Sequence, residues 1–210
     1  MPSLMHTVRR AFATALCGCV LIAAAARVGS AQAAASSAIP PGQLQSAELW
    51  FDAKATLGAF RGITKTARGE MSGGASLAVV RGFVEYDATT MTTNNGMRDR
   101  DMRKTLEVEK FKTIRFDLDS VSVGSETADS TKVELVGRML IHGVTKQIRV
   151  PATVRRAADH IRVTGAFPVV LPQYGVTKLT RMLGTLRMNE LIQVGLDVTF
   201  QLTKEEEGPQ

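Results

Sequence analysis

Cysteine is almost absent from this chain of 210 residues: there are two, Cys17 and Cys19, both in one apolar stretch near the start. Beyond that stretch no disulfide, thiolate nucleophile or cysteine-based metal site can form. Histidine is scarce as well, with three in all. His142 and His160, the two that follow the apolar stretch, have no second histidine at a ligand spacing, and each reads as a surface residue. No Gly-x-Ser-x-Gly elbow, no His-Glu-x-x-His pair and no phosphate-binding glycine loop occurs. Asp99 and Asp101 come nearest to a carboxylate pair. They lie two apart on an expected helix and so point in different directions, and Arg98, Arg100 and Arg103 surround them; they read as a solvated, salt-bridged face. These absences leave no catalytic constellation and no metal site, so the chain reads as a non-enzyme.

Long apolar runs are missing too, with one exception. Residues 11–26 (AFATALCGCVLIAAAA) follow Arg9 and Arg10 and precede AQA at 31–33. A basic start, an apolar middle and a small-residue cleavage site describe a secretory signal peptide over residues 1–33. Its apolar run of about 16 residues is shorter than the roughly 20 that a spanning helix needs. The expected product is periplasmic or secreted, with no stable membrane insertion after cleavage. The formal net charge of +6 draws on Arg9, Arg10 and Arg27 in or beside the signal, which holds no acid, so the processed chain is closer to neutral. No basic stripe interleaved with aromatics appears, and no nucleic-acid partner is expected. Residues 34–45 (AASSAIPPGQLQ) read as a flexible leader, residues 46–203 as one domain large enough for a real core, and residues 204–210 (KEEEGPQ) as a solvated acidic tail.

What the domain does contain is alternation. Leu49, Phe51, Ala53, Ala55 and Leu57 share one parity; so do Val80, Gly82, Val84 and Tyr86, then Ile114, Phe116 and Leu118, then Val133, Leu135, Met139 and Ile141. The pattern returns at Ile148–Val154, at 161–169 and at 192–202, with an eighth strand expected around residues 65–71. Half-buried antiparallel strands in this number form a sandwich or a closed barrel. One segment breaks the period: residues 94–111, where Asn caps precede Met102 and Leu106 four apart, read as a short surface helix, either a plug or a lid. Between Ile141 and Val144, Gly143 marks a hairpin turn in which a positive φ is expected.

The inward parity is rich in small residues: Ala53, Ala55, Gly82, Gly137, Ala152 and Gly165. An eight-stranded barrel is either just filled by side chains or holds one small ligand. Small residues on several strands favour a cavity, although Gly also serves taper and strand coiling. The expected lining is Phe51, Ala53, Ala55, Val84, Tyr86, Phe116, Met139, Val150, Ala152, Phe167 and Leu196. Such a wall would take an apolar, elongated occupant, with Tyr86 as the polar handle for a head group. The alternatives are a structural or interaction module with a packed barrel and, more remotely, an enzyme acting on a bound lipid.

The stretch LVGRMLIHGVTKQIRVP (135–151) resembles the signature hairpin of the YceI-like polyisoprenoid-binding family. LGAFRGITKTARGEMSG resembles its early Gly-rich hairpin, NNGMRDRDMRKTL its Arg-Asp helix, and YGVTKLTRMLGTLRMNELIQVGLDVTF its closing segment. The resemblance implies an all-β fold: a single lipocalin-like antiparallel eight-stranded β-barrel with one short helix at the barrel mouth. It also implies export and the carriage or storage of an isoprenoid chain or isoprenoid quinone as ligand, with no other cofactor. Two departures fall at the mouth: Asp101 stands where many members carry His, and EKFKTIRF lacks a Tyr-Pro that often precedes the next strand.

Overall fold

A computed structural model of the chain describes residues 38–177, 180–181 and 186–203. The expected signal peptide and the acidic tail lie outside the described residues. In chain order the elements are β1 (Gly42–Ala55), β2 (Gly58–Thr64), β3 (Arg68–Met71), β4 (Gly82–Asp87), α1 (Gly96–Thr105), β5 (Thr113–Glu126), β6 (Thr131–Ile141), β7 (Val144–Arg156), β8 (His160–Val170), β9 (Thr180–Arg181), β10 (Leu186–Arg187) and β11 (Leu191–Leu202). β1, β3 to β8 and β11 form an antiparallel ring, which pairing of β11 with β1 closes. Among the described residues the fold is therefore an eight-stranded antiparallel barrel with one α-helix, and period two is its physical basis: along β6, for example, Val133, Leu135, Met139 and Ile141 are buried while Lys132 and Arg138 are exposed. The outer wall carries cross-strand ion pairs such as Arg61 with Asp52 and Arg149 with Glu134. Exposed pairs of this kind add little stability individually.

Two expectations need correction. The segment 34–45 is not a loose leader in its described part. Ile39 is buried and pairs with Gly74 through two backbone hydrogen bonds of 2.7 and 2.8 Å, and β1 already runs from Gly42, which pairs with Leu202 and with Met71. Pro40 and Pro41 cannot continue a ladder, but the apolar Ile39 before them finds a core position, and Leu44 packs on the core just before a register shift between Leu44 and Ser46. The second correction concerns β2, which period two did not disclose. Its sequence, GAFRGIT, holds two glycines, and one of them, Gly62, lies directly beneath the Phe51 ring where a Cβ would be 2.1 Å from Cε1. A glycine that makes room for a neighbour's ring has no hydropathy to report.

β1 meets β11 along one edge and two strands along the other. Gly42 and Gln43 pair with β3, whereas residues from Leu49 to Ala55 pair with β2. β3 continues to β4, but among the described residues β2 has no strand on its far edge and makes there a bridge from Ile63 to Thr92. The sector between β2 and β4 is covered instead by residues 88–95 and α1.

The β6–β7 hairpin turns at His142 and Gly143, with φ of +51° and +74°. Both central residues are left-handed, as a two-residue type I′ turn requires. The positive φ expected at Gly143 is present. His142, by contrast, is not a surface residue. Its side chain is 13% exposed, its ring packs on Phe111 at 4.4 Å, and Nδ1–H donates to the Tyr174 carbonyl at 3.2 Å. His160 does sit at the surface, paired with Asp159. Replacing Gly143 by Val should destabilise the protein by about 1–3 kcal/mol, since a side chain at that φ is strained. The strain is compounded because a Cβ there would lie 2.6 Å from Phe111 Cε1. The check is the urea midpoint, and an unchanged value would contradict the turn geometry.

Candidate functional site

α1 is short, and local bonds hold it in place. The Asn95 side chain accepts from the Arg98 N–H and caps the first turn. Asp99, one turn in, reaches back to the loop before the helix: its carboxylate accepts from the Thr93 N–H (2.7 Å), the Thr93 hydroxyl (2.6 Å) and the Thr92 hydroxyl (2.7 Å). Asp99 is buried, so the expectation of a solvated face fails for it; three donors replace the water. Burial pushes its pKa up, but the Thr93 and Thr92 hydroxyls, the Thr93 N–H and nearby Arg103 outweigh that and hold it below its ordinary value. Thr92 in turn pairs with Ile63 of β2, and Thr90 shares a 2.7 Å hydrogen bond with Thr64. Arg98 lays its guanidinium 4.5 Å from the centre of the Phe60 ring. The helix is thereby fastened along the edge of β2 that no described strand pairs with.

Beneath it lies a cavity of ≈430 Å³, within the range of small-molecule sites. Inward positions of the barrel form its wall: Phe51 and Ala55 from β1, Phe60 from β2, Tyr86 from β4, Ile114 from β5, Met139 and Ile141 from β6, Ile192 and Val194 from β11. Met102 of α1 and Leu106, the residue that ends the helix, close it from above, and Leu171, Val176 and Met188 from the side. Phe51 and Phe60 meet edge to face with centroids 6.0 Å apart. Arg98, Asp101, Thr105 and Arg187 join the lining, so its polar groups gather chiefly around α1 and Arg187. The deeper exception is Tyr86, whose burial pushes its hydroxyl pKa well up, so that it stays a neutral phenol. A second cavity of ≈90 Å³ lies farther along the barrel, bounded by Val84, Phe116 and Leu196 among others.

The eleven residues expected to line the lumen thus divide. Phe51, Ala55, Tyr86 and Met139 line the larger cavity; Val84, Phe116 and Leu196 line the smaller. Ala53, Val150, Ala152 and Phe167 are buried in the core and line neither. The small residues were an indirect signal. Gly137 opens no space: a Cβ there would lie 2.2 Å from the Asp117 carbonyl oxygen and 2.7 Å from Phe116 Cζ. Ile114, Ile192 and Val194 belong to the same inward parity as Phe116 and Leu196, one step closer to the helix, so period two held the signal for them. Met102 and Leu106 were visible as a stripe four apart, whereas Leu171 and Val176 come from irregular chain with no period to read.

The sequence matches the YceI-like domain over residues 40–203. The chain belongs to the YceI-like family. Solved structures of similar fold include a polyisoprenoid binding domain from Saccharophagus degradans implicated in plant cell wall breakdown, at 16% identity and TM-score 0.64, covering 79% of this chain and 99% of that one. Burkholderia cenocepacia BcnA aligns at 13% identity and TM-score 0.62, covering 73% and 95%. The Campylobacter jejuni YCEI protein aligns at 15% and 0.56, covering 68% and 85%. A search of curated proteins finds no match. At these identities the structures share the fold, and the YceI-like hairpin, helix and closing segment fall on β6–β7, α1 and the chain leading into β11.

Two outcomes follow for this YceI-like barrel. Val194→Phe puts a ring into the larger cavity and should lower ligand binding with little loss of stability. Ala152→Phe acts where Gly165 and Val133 already stand opposite, so overpacking should cost about 1–3 kcal/mol. Thermal melting with titration of a fluorescent isoprenoid analogue checks both. Removing the carboxylate in Asp99→Ala should cost about 1–3 kcal/mol at neutral pH, the worth of charge-assisted hydrogen bonds. Because the folded-state pKa is lowered, that stabilisation is fully present above the unfolded value of 3.8 and fades as pH falls through the lower folded value. The gap between the two proteins in urea denaturation should therefore close toward acid pH.

Proposed function

We propose that this YceI-like protein is exported and holds one elongated apolar lipid of the isoprenoid class, a polyprenyl chain or an isoprenoid quinone, without transforming it. The supporting observation is the cavity beneath α1: it is large, its wall is aliphatic, aromatic and thioether, and its polar groups gather chiefly around α1 and Arg187. An apolar chain is bound there by burial alone. Each CH₂ removed from water contributes about 0.8 kcal/mol, so a five-carbon unit contributes roughly 3–4 kcal/mol gross. A few units offset an association cost of about 4–15 kcal/mol. Burial has no direction, so the shape of the wall selects for length and branching, and Tyr86, a neutral phenol inside, is able to donate to a ligand oxygen. The polyisoprenoid ligand stated for the Saccharophagus domain fits this reading. None of the described helices is long and apolar enough to cross a membrane, and carriage of lipid by a barrel that leaves the bilayer is the role this reading assigns.

Native mass spectrometry of the protein taken from the envelope of its own cells should show one added mass of lipid size, released into organic solvent as a prenyl compound. A protein that carries no lipid, and that binds no isoprenoid analogue after delipidation, would overturn the reading in favour of a packed interaction module. Reproducible turnover of an added lipid would overturn its non-catalytic part.

A further inference from the structure

The larger cavity reaches the surface between the β1–β2 turn and α1, and the two side chains that flank this opening are apolar and bare. Leu57 is 83% exposed and Met97 is 74% exposed, and both line the cavity. Folding of the barrel alone gives no reason to place them there; each would be better buried, and the barrel core does not use them. Exposed cations stand on the same two elements. Lys54 is exposed three residues before Leu57, and α1 carries exposed Arg100, Arg103 and Lys104, of which Arg103 also donates to the Thr89 carbonyl at 3.1 Å. The acids of this region are partly engaged: Asp99 is turned inward onto Thr92 and Thr93, and Glu190 faces Arg187 at 3.4 Å. Asp101 is exposed on α1 beside Arg100 and also lines the cavity.

Apolar tips ringed by basic side chains match the interface of an anionic bilayer: the tips enter the acyl boundary while Lys and Arg stay at the head groups. We infer that the cavity mouth is a docking surface for anionic phospholipid membranes, with Leu57 and Met97 as the inserted anchors and Lys54, Arg100, Arg103 and Lys104 as the electrostatic contact. This deepens the proposed function, on which it rests: a ligand too apolar to cross water then passes between bilayer and cavity through a mouth already seated on the membrane.

The test is flotation of the full chain with two kinds of vesicle, phosphatidylcholine alone and phosphatidylcholine mixed with phosphatidylglycerol. The expected result is flotation with the mixed vesicles, weakened by added salt. Leu57→Asp with Met97→Asp should lower vesicle affinity on the order of tenfold or more, with an unchanged melting temperature showing that the barrel is intact. Arg100→Glu with Lys104→Glu, which lie outside the cavity lining, should abolish the preference for phosphatidylglycerol while leaving solution binding of an isoprenoid analogue as in the unmodified protein. No flotation of the unmodified protein with either vesicle would overturn the inference, as would flotation that survives both pairs of substitutions. Self-association that the Leu57 and Met97 changes disrupt, without vesicle binding, would assign the face to a second copy and overturn it equally. If vesicle binding persists but no analogue binds in solution, the cavity reading fails and the docking surface stands.

Discussion

Along one edge, β1 pairs with β11 from the Gly42–Leu202 position to the Asp52–Gln193 position. Along the other, its pairing passes from β3 to β2, and only β3 goes on to β4. A barrel wall that divides in this way has a sector in which backbone groups of β2 have no strand beside them. Unpaired backbone at a sheet edge must be covered, and here residues 88–95 do so, through the Ile63–Thr92 bridge and the Thr64–Thr90 hydroxyl pair. A covering segment that turns into a helix stands farther from the barrel axis than a strand would. The space under it is the larger cavity. The helix, the capping by Asn95, the inward carboxylate of Asp99 and the polar rim are all consequences of how the edge of β1 is shared.

The far side of the barrel behaves differently: β5, β6 and β7 pair along most of their length, and β7 meets β8 from Ala152–Gly165 to Arg156–Ile161. Within this stretch the lumen is filled by Val133, Leu135, Val150, Val154 and their neighbours, and what remains open is the small cavity of ≈90 Å³. The two spaces meet along the strands: Val84 bounds one and Tyr86 the other, and the same holds for Phe116 and Ile114 and for Leu196 and Val194. Their linings share no residue. Phe116 bounds the smaller space, and its ring rests over Gly137, where a larger residue would displace it. A native core is close-packed, so one barrel holds both a packed half that provides stability and an open half that does not have to.

Much of this was legible in the chain itself. Period two located seven strands because antiparallel strands with one wet face leave an alternating record, and Asn95 with Met102 and Leu106 located the helix. The lumen side of each strand was legible too, but position along the barrel axis was not. Parity says which side chains point inward, and Ala152 and Val194 look alike by that measure. Which of them meets open space depends on how the far strands are offset and on what covers the end, and neither leaves a local mark. Asp99 was misread for a related reason: two threonines six and seven residues earlier become its partners only when the loop folds back, and spacing along the helix does not foretell that.

The family hairpin has a meaning that its turn geometry does not exhaust. Gly143 alone would permit the reversal, and Asn at position 142 would suit a left-handed φ at least as well as His. His142 nevertheless spans to two segments far from its own strands. Its Nδ1–H bonds the Tyr174 carbonyl in the chain between β8 and β9, its ring covers Phe111 in the connection from α1 to β5, and Nε2 lies 3.7 Å from the Glu107 carboxylate. Glu107 follows the helix directly and itself adopts a positive φ of 45°. The imidazole therefore ties the end of the helical cover and the irregular segment contributing Leu171 and Val176 to the rigid β6–β7 hairpin. Those two segments bound the cavity on sides where no strand does. A histidine that looks like a turn residue in the sequence acts in the fold as the fixed point from which the non-strand walls of the site are hung.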